Sequence, residues 1–163
     1  MCGLCGELRF DGSAPVAGVV ERMKDRLQKR GPDSEGLYIK APVALVQRRL
    51  AIIDLTDKAA KPKLDEPAGV SLDFNVTIYN YTELRKELHA LGHIFTSTGD
   101  TEVILRAYIE WGENCITRLQ GMFAIAIWDS KKQVMLLARD RSGIKPLYYS
   151  QTEQRLLFAS NTQ

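Results

Sequence analysis

From residue 122 onward the chain is a succession of short apolar segments, and this block most narrows the folds that the sequence can adopt. Each segment has the length and apolar content of a strand, and polar stretches such as SKKQ separate them. The spacing therefore predicts an antiparallel meander of four strands: MFAIAIWD, QVMLLARD, PLYYS and RLLFAS.

The earlier part of the chain adds helices to these strands. Apolar residues at helical spacing predict an amphipathic helix over Val16–Arg30, which the turn RGPDSEG ends, and two more helices over Thr82–Leu91 and Thr101–Trp111. Thr82 is expected to cap the second helix, and a glycine follows each of the last two as a stop. Further strands are predicted over Leu4–Phe10, Val43–Val46 and Val70–Phe74. Helices grouped apart from a block of strands favour an α+β architecture over alternating βαβ units.

The length and charge of the chain exclude several classes of function. A chain of 163 residues fits one domain that buries a real core. The 22 Lys+Arg and 20 Asp+Glu leave a net charge of +2, which gives no argument for nucleic acid or for an anionic membrane surface. Neither a secretory signal nor a membrane-spanning run is recognisable. We therefore expect a cytoplasmic protein with no nucleic-acid or membrane partner.

The three cysteines are odd in number and irregularly spaced, so we expect free thiols in a reducing compartment. Cys2 and Cys5 form a CxxC, but no second Cys or His pair accompanies it, and no zinc site is predicted. If Met1 is removed, Cys2 carries a free α-amine beside its thiol. A cysteine near the N-terminus is more often an incidental small apolar residue, so this dipeptide alone leaves both interpretations open.

Seven short segments, taken together, decide between these interpretations. They are MCGLCG at the start, RGPDSEG at 30–36, QRRLAIIDL at 47–55, FNVTIYNY at 74–81, GDTEVIL at 99–105, LQGMFAIAIWD at 119–129 and ARDRSGIKPLYY at 138–149. In this order and spacing they closely resemble the glutaminase domain of asparagine synthetases, which are class II glutamine amidotransferases. The resemblance covers nearly the whole chain. It implies the N-terminal nucleophile hydrolase fold, a four-layer αββα sandwich of antiparallel sheets, which agrees with the α+β prediction.

The resemblance also implies a reaction. The cysteine that matches Cys2 attacks the side-chain amide of glutamine, which gives a glutamyl thioester and ammonia, and water then hydrolyses the thioester to glutamate. A thiol is mostly protonated at neutral pH, whereas an α-amine titrates near 8 and can act as the base, so Cys2 must be the first residue. Asn75 matches the oxyanion asparagine, and the backbone N–H of Val76 is its partner in catalysis.

Further positions are matched to substrate binding. Arg49 matches the arginine that clamps the α-carboxylate of glutamine, a bidentate task that suits a planar guanidinium. Asp100 matches the carboxylate that holds the α-ammonium group. Leu50 and Ile53, in the same motif as Arg49, are further substrate-binding candidates. Arg30 is expected to shape the pocket through its loop.

The chain departs from the family at several of these positions. The family usually has Asn-Gly-Glu where this chain has Asn75, Val76 and Thr77, and a His often stands at Gln47. If position 76 required a positive φ, Val76 would be strained by about 1 kcal/mol or more. Thr77, the remaining substrate-binding candidate, replaces a charge by a hydroxyl, so weaker glutamine binding is expected. Two hypotheses follow: a glutamine-hydrolysing domain, or a catalytically weak or silent domain with a structural or regulatory role.

The partners implied by the resemblance are glutamine and an ATP-dependent synthetase domain. In the family that larger domain activates aspartate and receives the ammonia. We expect residues 1–163 to form the glutaminase domain alone, with the synthetase domain absent. No metal or cofactor is expected here, because ATP and Mg²⁺ belong to the synthetase domain. A homodimer stays open.

Overall fold

The computed structural model describes residues 2–49 and 62–162. The described elements are, in chain order, β1 (Gly3–Arg9), α1 (Ala17–Arg26), β2 (Ser34–Lys40), β3 (Val43–Arg49), β4 (Lys63–Asp65), β5 (Val70–Ile78), α2 (Tyr81–Ala90), α3 (Asp100–Trp111), α4 (Cys115–Arg118), β6 (Gly121–Asp129), β7 (Val134–Arg139), β8 (Tyr148–Gln151) and β9 (Arg155–Ala159). They belong to two compact units. The first comprises Met1–Pro62, Asp73–Asn75 and Pro146–Gln163, and the second comprises Lys63–Leu72 and Val76–Lys145.

The first unit is built on a five-stranded antiparallel sheet in the order β2-β3-β1-β9-β8. The central strand, β1, pairs with β3 from Gly3↔Arg48 onward and with β9 from Cys5↔Ala159 onward. The apolar stripe of α1 packs on this sheet through a cluster of buried side chains: Val20 and Leu27 against Cys5, Ala44 and Val46. The centre of the sheet is therefore buried, and β1 is held on both of its edges.

The RGPD turn follows α1 and lies against the end of β3. A Cβ added to Gly31 would come within 2.3 Å of the Arg48 carbonyl carbon and 2.4 Å of the Arg49 nitrogen, so the approach requires glycine. The Asp33 N–H donates to the Arg49 carbonyl at 3.1 Å. The turn is thereby fixed to the backbone of the strand that ends in Arg49.

The second unit contains a four-stranded sheet in the order β4-β5-β6-β7 and the helices α2, α3 and α4. Helix α2 buries Leu84 and Leu88, and α3 buries a wider face because it is flanked on more than one side. Helix α3 ends at Trp111, and the next residue, Gly112, has a φ of 59°, a positive value that glycine tolerates. With 12 residues it is the longest described helix, and none of the described helices is long and apolar enough to cross a membrane.

Most of the predicted helices and strands are confirmed, with ends that move by a few residues. Helix α1 is shorter than predicted because the turn begins before Arg30. The strand predicted over Val70–Phe74 continues to Ile78. Strands β2 and β4 were not predicted, since β2 leaves apolar side chains such as Leu37 and Ile39 exposed and lacks a clear alternation.

The predicted four-stranded meander is wrong. Strands β6 and β7 pair in the sheet of the second unit, whereas β8 and β9 pair in the sheet of the first, where β9 continues onto β1. The break follows β7, where the Asp140 carboxylate accepts the N–H groups of Phe123, Ile144 and Lys145 and folds the chain into a tight turn. Hairpin spacing identified the pairs of strands correctly but not the sheet that each pair joins.

Thr82 is not the cap of α2, which is also a correction. The helix begins at Tyr81 after Asn80, and it has no side-chain cap. The Asn80 amide instead donates to the Arg118 carbonyl at 2.9 Å and accepts from the Gln120 N–H at 3.0 Å. The Asn80 side chain is therefore engaged in hydrogen bonds to a distant segment and does not cap the helix.

A pair of glycine substitutions tests the packing of the RGPD turn. Gly31→Ala should lower the free energy of unfolding by about 2 kcal/mol or more, because the new methyl overlaps backbone atoms that cannot move independently. Gly18→Ala in α1 is the matched control. A Cβ added to Gly18 would have an arginine side-chain nitrogen at 3.6 Å as its nearest neighbour. Alanine at this helical position should therefore raise the free energy of unfolding by up to about 1 kcal/mol. Urea denaturation of both variants measures the difference, and equal effects would contradict the close approach.

Candidate active site

Cys2 directly precedes β1 and is partly exposed. The strand beside it is fixed by Ser160, which follows β9. The Leu4 N–H donates to Ser160 Oγ at 3.1 Å, and the Ser160 N–H donates to the Leu4 carbonyl at 2.9 Å. Arg30 Nη1 donates to the Ser160 carbonyl at 3.0 Å. Arg30, at the start of the RGPD turn, thus acts on the position of β1 through Ser160.

Asn75 lies in the same unit as Cys2, and the two are in direct contact. The Asn75 Nδ2 donates to the Cys2 carbonyl at 3.0 Å, and the side chain is 4% exposed. A carboxamide nitrogen carries two hydrogens, so this bond leaves a second N–H on the same atom. The structure therefore brings together the predicted nucleophile and the predicted oxyanion donor.

Arg49 is the last residue of β3 and is 9% exposed. The register that pairs Gly3 with Arg48 puts Arg49 at the same end of the sheet as Cys2. The backbone of Arg49 is therefore fixed by the neighbouring strands and by the turn packed on them. Leu50 and Ile53, the other candidates from this motif, lie outside the described residues.

Asp100, Val76 and Thr77 belong to the second unit. Asp100 begins α3, and its Oδ2 accepts the N–H of Ile78, the last residue of β5, at 3.0 Å. Thr77 is exposed, and its hydroxyl donates to the Val76 carbonyl at 3.0 Å. Within this unit the Asp100 carboxylate, which is predicted to bind the ammonium group, therefore contacts the last residue of β5, Ile78, which directly follows Thr77.

The charge of Asp100 is set by two opposing influences. Burial raises the pKa of its carboxyl above the ordinary value, and the N–H groups of Ile78, of Asp100 itself and of Thr101 offset part of that rise. The N-terminus of a helix also favours a negative charge. The carboxyl of Asp100 therefore protonates at a higher pH than that of a solvated aspartate does.

The strain expected at Val76 is wrong. Val76 lies within β5, and within residues 2–49 and 62–162 the only non-glycine residue with a positive φ is Gln133. The extended backbone of a strand accepts a β-branched residue readily. Position 76 does not require glycine here, because the strand continues through it as far as Ile78.

The neighbourhood of Cys2 includes polar residues that the sequence analysis missed. Ser160 and Asp73 are 1% and 0% exposed, and both lie in the first unit. Each carries a faint signal: Asp73 is an acid inside the apolar run VSLDF, and Ser160 is a small polar residue directly after a strand. Within the described part of the chain, no three His, Cys, Asp or Glu side chains are grouped as for a metal ion.

Comparison with known proteins places these observations in a family. The family model described as "Glutamine amidotransferase domain" matches residues 1–163. The chain belongs to the glutamine amidotransferase domain family. It is 39% identical over 163 residues to asparagine synthetase [glutamine-hydrolyzing] 3 of Bacillus subtilis, covering 98% of this chain and 26% of that protein. It is 41% identical to asparagine synthetase [glutamine-hydrolyzing] 2 of the same organism, covering 98% of this chain and 21% of that protein. The chain thus spans about a quarter of the length of the curated relatives it matches.

Solved structures give the same fold. The glutamine phosphoribosylpyrophosphate amidotransferase from B. subtilis, in complex with ADP and GMP, superposes with a TM-score of 0.76 and 19% identity over 99% of this chain and 42% of that one. A structure described as the allosteric regulatory enzyme of purine biosynthesis gives 0.74 and 20% identity over the same shares. The predicted α+β class, the αββα sandwich of the N-terminal nucleophile hydrolases with its two antiparallel sheets, is confirmed.

Proposed function

We propose that this domain hydrolyses glutamine to glutamate and ammonia, with Cys2 as the nucleophile. The observation that carries the proposal is the hydrogen bond from the Asn75 amide to the Cys2 carbonyl at 3.0 Å. It puts a side-chain N–H donor within reach of the site where a tetrahedral oxyanion would form on a substrate bound to Cys2. Membership of the glutamine amidotransferase family supports glutamine as the substrate.

The reaction begins when removal of Met1 frees the α-amine of Cys2. The amine takes the thiol proton, and the thiolate sulfur bonds to the amide carbon of glutamine. The negative charge that develops on the amide oxygen is stabilised by the Asn75 Nδ2 and by the Val76 N–H. The intermediate then expels ammonia, which takes the proton back from the amine, and leaves a thioester that water hydrolyses. Loss of one oxyanion donor typically costs about a hundredfold or more in rate.

Two charged residues are proposed to bind the α-carboxylate and α-ammonium groups of glutamine. The Arg49 guanidinium presents a planar fork that can bind the α-carboxylate through two parallel hydrogen bonds. The Asp100 carboxylate would hold the α-ammonium group, and its bond to the Ile78 N–H fixes its orientation. Thr77, Leu50 and Ile53 are the remaining substrate-binding candidates.

The destination of the ammonia is proposed from the relatives. Their names describe glutamine-hydrolysing asparagine synthetases, which are about four to five times the length of this chain. We infer that the ammonia is used in an amidation of aspartate by an ATP-dependent synthetase domain, linked or separate, in the cytoplasm. ATP and Mg²⁺ would bind that domain, and the glutaminase step needs no cofactor.

The alternative is a weakly active or silent domain, and one observation favours it. The family's glutamate is replaced by Thr77, whose hydroxyl is occupied by the carbonyl of Val76 and carries no charge toward an ammonium group. Such a domain would keep the fold and serve as a structural or regulatory module. The two functions differ in whether the protein without Met1 releases ammonia from glutamine.

A glutamine-analogue electrophile that alkylates thiols tests the nucleophile. We expect a single adduct on Cys2 of the protein that lacks Met1, and none on Cys5 or Cys115. Burial raises the pKa of the Cys115 thiol to about 12 and raises that of Cys5 still further, so neither supplies thiolate at neutral pH. Peptide mass spectrometry locates the adduct. Modification of either buried thiol, or equal labelling of protein that retains Met1, would refute the assignment.

The pH dependence of glutamine binding tests Asp100. Because the pKa of Asp100 is raised, its charge is lost as the pH falls, at a pH above the ordinary value of 3.8. The KM for glutamine should therefore rise on acidification. Asp100→Asn should have a high KM that no longer changes over the same range, whereas Asp25→Asn, at an exposed position in α1, should follow the parent protein. A KM for the parent that does not depend on pH would exclude Asp100 from the ammonium site.

Two substitutions in β5 separate the proposed function from its alternative. Thr77→Glu should lower the KM for glutamine by about tenfold, because it restores a charge-assisted contact that substrate and transition state share. Val76→Gly should leave kcat within about twofold, since no strain is present to be relieved. Ammonia release is measured for both variants and for Cys2→Ala. If the parent and both variants release no more ammonia than Cys2→Ala, the silent module is the better account.

A further inference from the structure

The backbone of Phe74, directly before Asn75 in β5, is held by two buried polar side chains. The Phe74 N–H donates to Asp73 Oδ1 at 2.9 Å, and its carbonyl accepts from Gln47 Nε2 at 3.0 Å. Asp73 is 0% and Gln47 1% exposed. Asn75 in turn donates to the Cys2 carbonyl. These two side chains therefore hold the strand segment that presents the oxyanion candidate.

Each of the two side chains also has an oxygen that is buried without a hydrogen-bond partner among the described residues. These atoms are Asp73 Oδ2 and Gln47 Oε1. An unsatisfied buried acceptor costs roughly 1–3 kcal/mol. Two acceptors cannot satisfy each other unless one of them carries a proton, and the amide oxygen of Gln47 does not. If one proton serves both oxygens, Asp73 is therefore the residue that carries it.

The surroundings of Asp73 agree with a neutral side chain. Burial raises the pKa of its carboxyl well above the usual range, and the N–H groups of Phe74 and Val46 offset only part of that rise. The titratable group that faces it from β1 is the Cys5 thiol, whose own pKa is raised by burial and by Asp73. From β3, Arg48 acts on the same thiol in the opposite sense. The Cys5 thiol does not change its charge between pH 4 and pH 8.

We propose that Asp73 is held as a carboxylic acid whose Oδ2–H donates to Gln47 Oε1, directly or through one enclosed water, and that this pair positions Asn75. One shared proton then satisfies both buried oxygens and closes a ring of hydrogen bonds through the backbone of Phe74. An ionised Asp73 would leave both oxygens as buried acceptors without a donor. Asp73 and Gln47 are positioning residues, since neither is placed against the substrate. Their catalytic effect rests on the proposed function, whereas the protonation state does not.

Thermal unfolding as a function of pH tests the protonation state without any assay of activity. Asp73→Asn keeps an acceptor for the Phe74 N–H and supplies a donor in place of the acid proton. In the unfolded chain an aspartate ionises near pH 4, so the parent protein should lose stability as the pH rises above that value, because folding must return a proton to Asp73. The Tm of Asp73→Asn minus that of the parent should increase steadily between pH 4 and pH 8. Asp25→Asn, which removes an exposed carboxylate, corrects for the general loss of a charge.

Two results of this experiment overturn the proposal. A Tm difference that falls with rising pH would show that Asp73 is an anion stabilised by its N–H partners. A difference that stays constant over the range would show that folding does not shift its titration. Only a Tm difference that rises with pH, after the effect of Asp25→Asn has been subtracted, supports the shared proton.

Glutamine hydrolysis tests the positioning effect. Gln47→Met keeps the length of the side chain but removes both hydrogen bonds, so the kcat should fall about tenfold, with a KM within about twofold, because the oxyanion donor is misplaced and the head-group contacts are not. Asp73→Asn should retain most of the kcat. A Gln47→Met variant that is folded at the assay temperature and has the parent kcat, or a change in KM alone, would overturn the positioning effect. If the parent protein itself releases no ammonia, the proposed function fails, and the pH series still decides the protonation state.

Discussion

The pairing of β1 on both of its edges is the constraint on which the rest of the first unit depends. Six of its seven residues are buried, and β3 and β9 hydrogen-bond to it on either side. Cys2 precedes the strand directly, so the freedom of the predicted nucleophile is limited by a backbone that is paired on both edges. Catalysis by a positioned thiol loses rate steeply when atoms move by about 1 Å. The backbone next to Cys2 is thereby held in place more firmly than the backbone near a chain terminus usually is.

Carboxylates held by backbone N–H groups recur in the chain, and their surroundings decide their charge. Burial acts against the charge of Asp140, but three N–H bonds, from Lys145, Ile144 and Phe123, bring its pKa below the ordinary value. Asp73 is fully enclosed with two such partners, and its pKa is raised instead. The pKa of Asp100, at the start of a helix, is raised as well, but less strongly than that of Asp73. The balance of desolvation against donors thus makes one aspartate a turn-forming anion, one a neutral core group and one a carboxylate suited to a cationic head group.

The sequence predicts the parts of this structure that depend on local periodicity. The helices were recognisable because each buries one face, as Leu84 and Leu88 do in α2, and the long apolar runs of β5 and β6 have few alternatives to a strand. The sheet that β8 and β9 join was not predictable, because hairpin spacing carries no information on a partner as distant as β1. In the site, motifs indicated Cys2, Asn75, Arg49 and Asp100. Ser160 and Asp73 were missed because their roles exist only through contacts between distant segments.

The bond between the Leu4 N–H and Ser160 joins residues 156 positions apart in sequence. During synthesis, the first strand of the protein therefore remains open along one edge until the last described strand has left the ribosome. Contacts this distant also slow folding, because the loop between them must close first. The other edge of β1 can pair much earlier, because its partner β3 ends at Arg49. The topology therefore completes the two edges of the same strand at very different stages of synthesis.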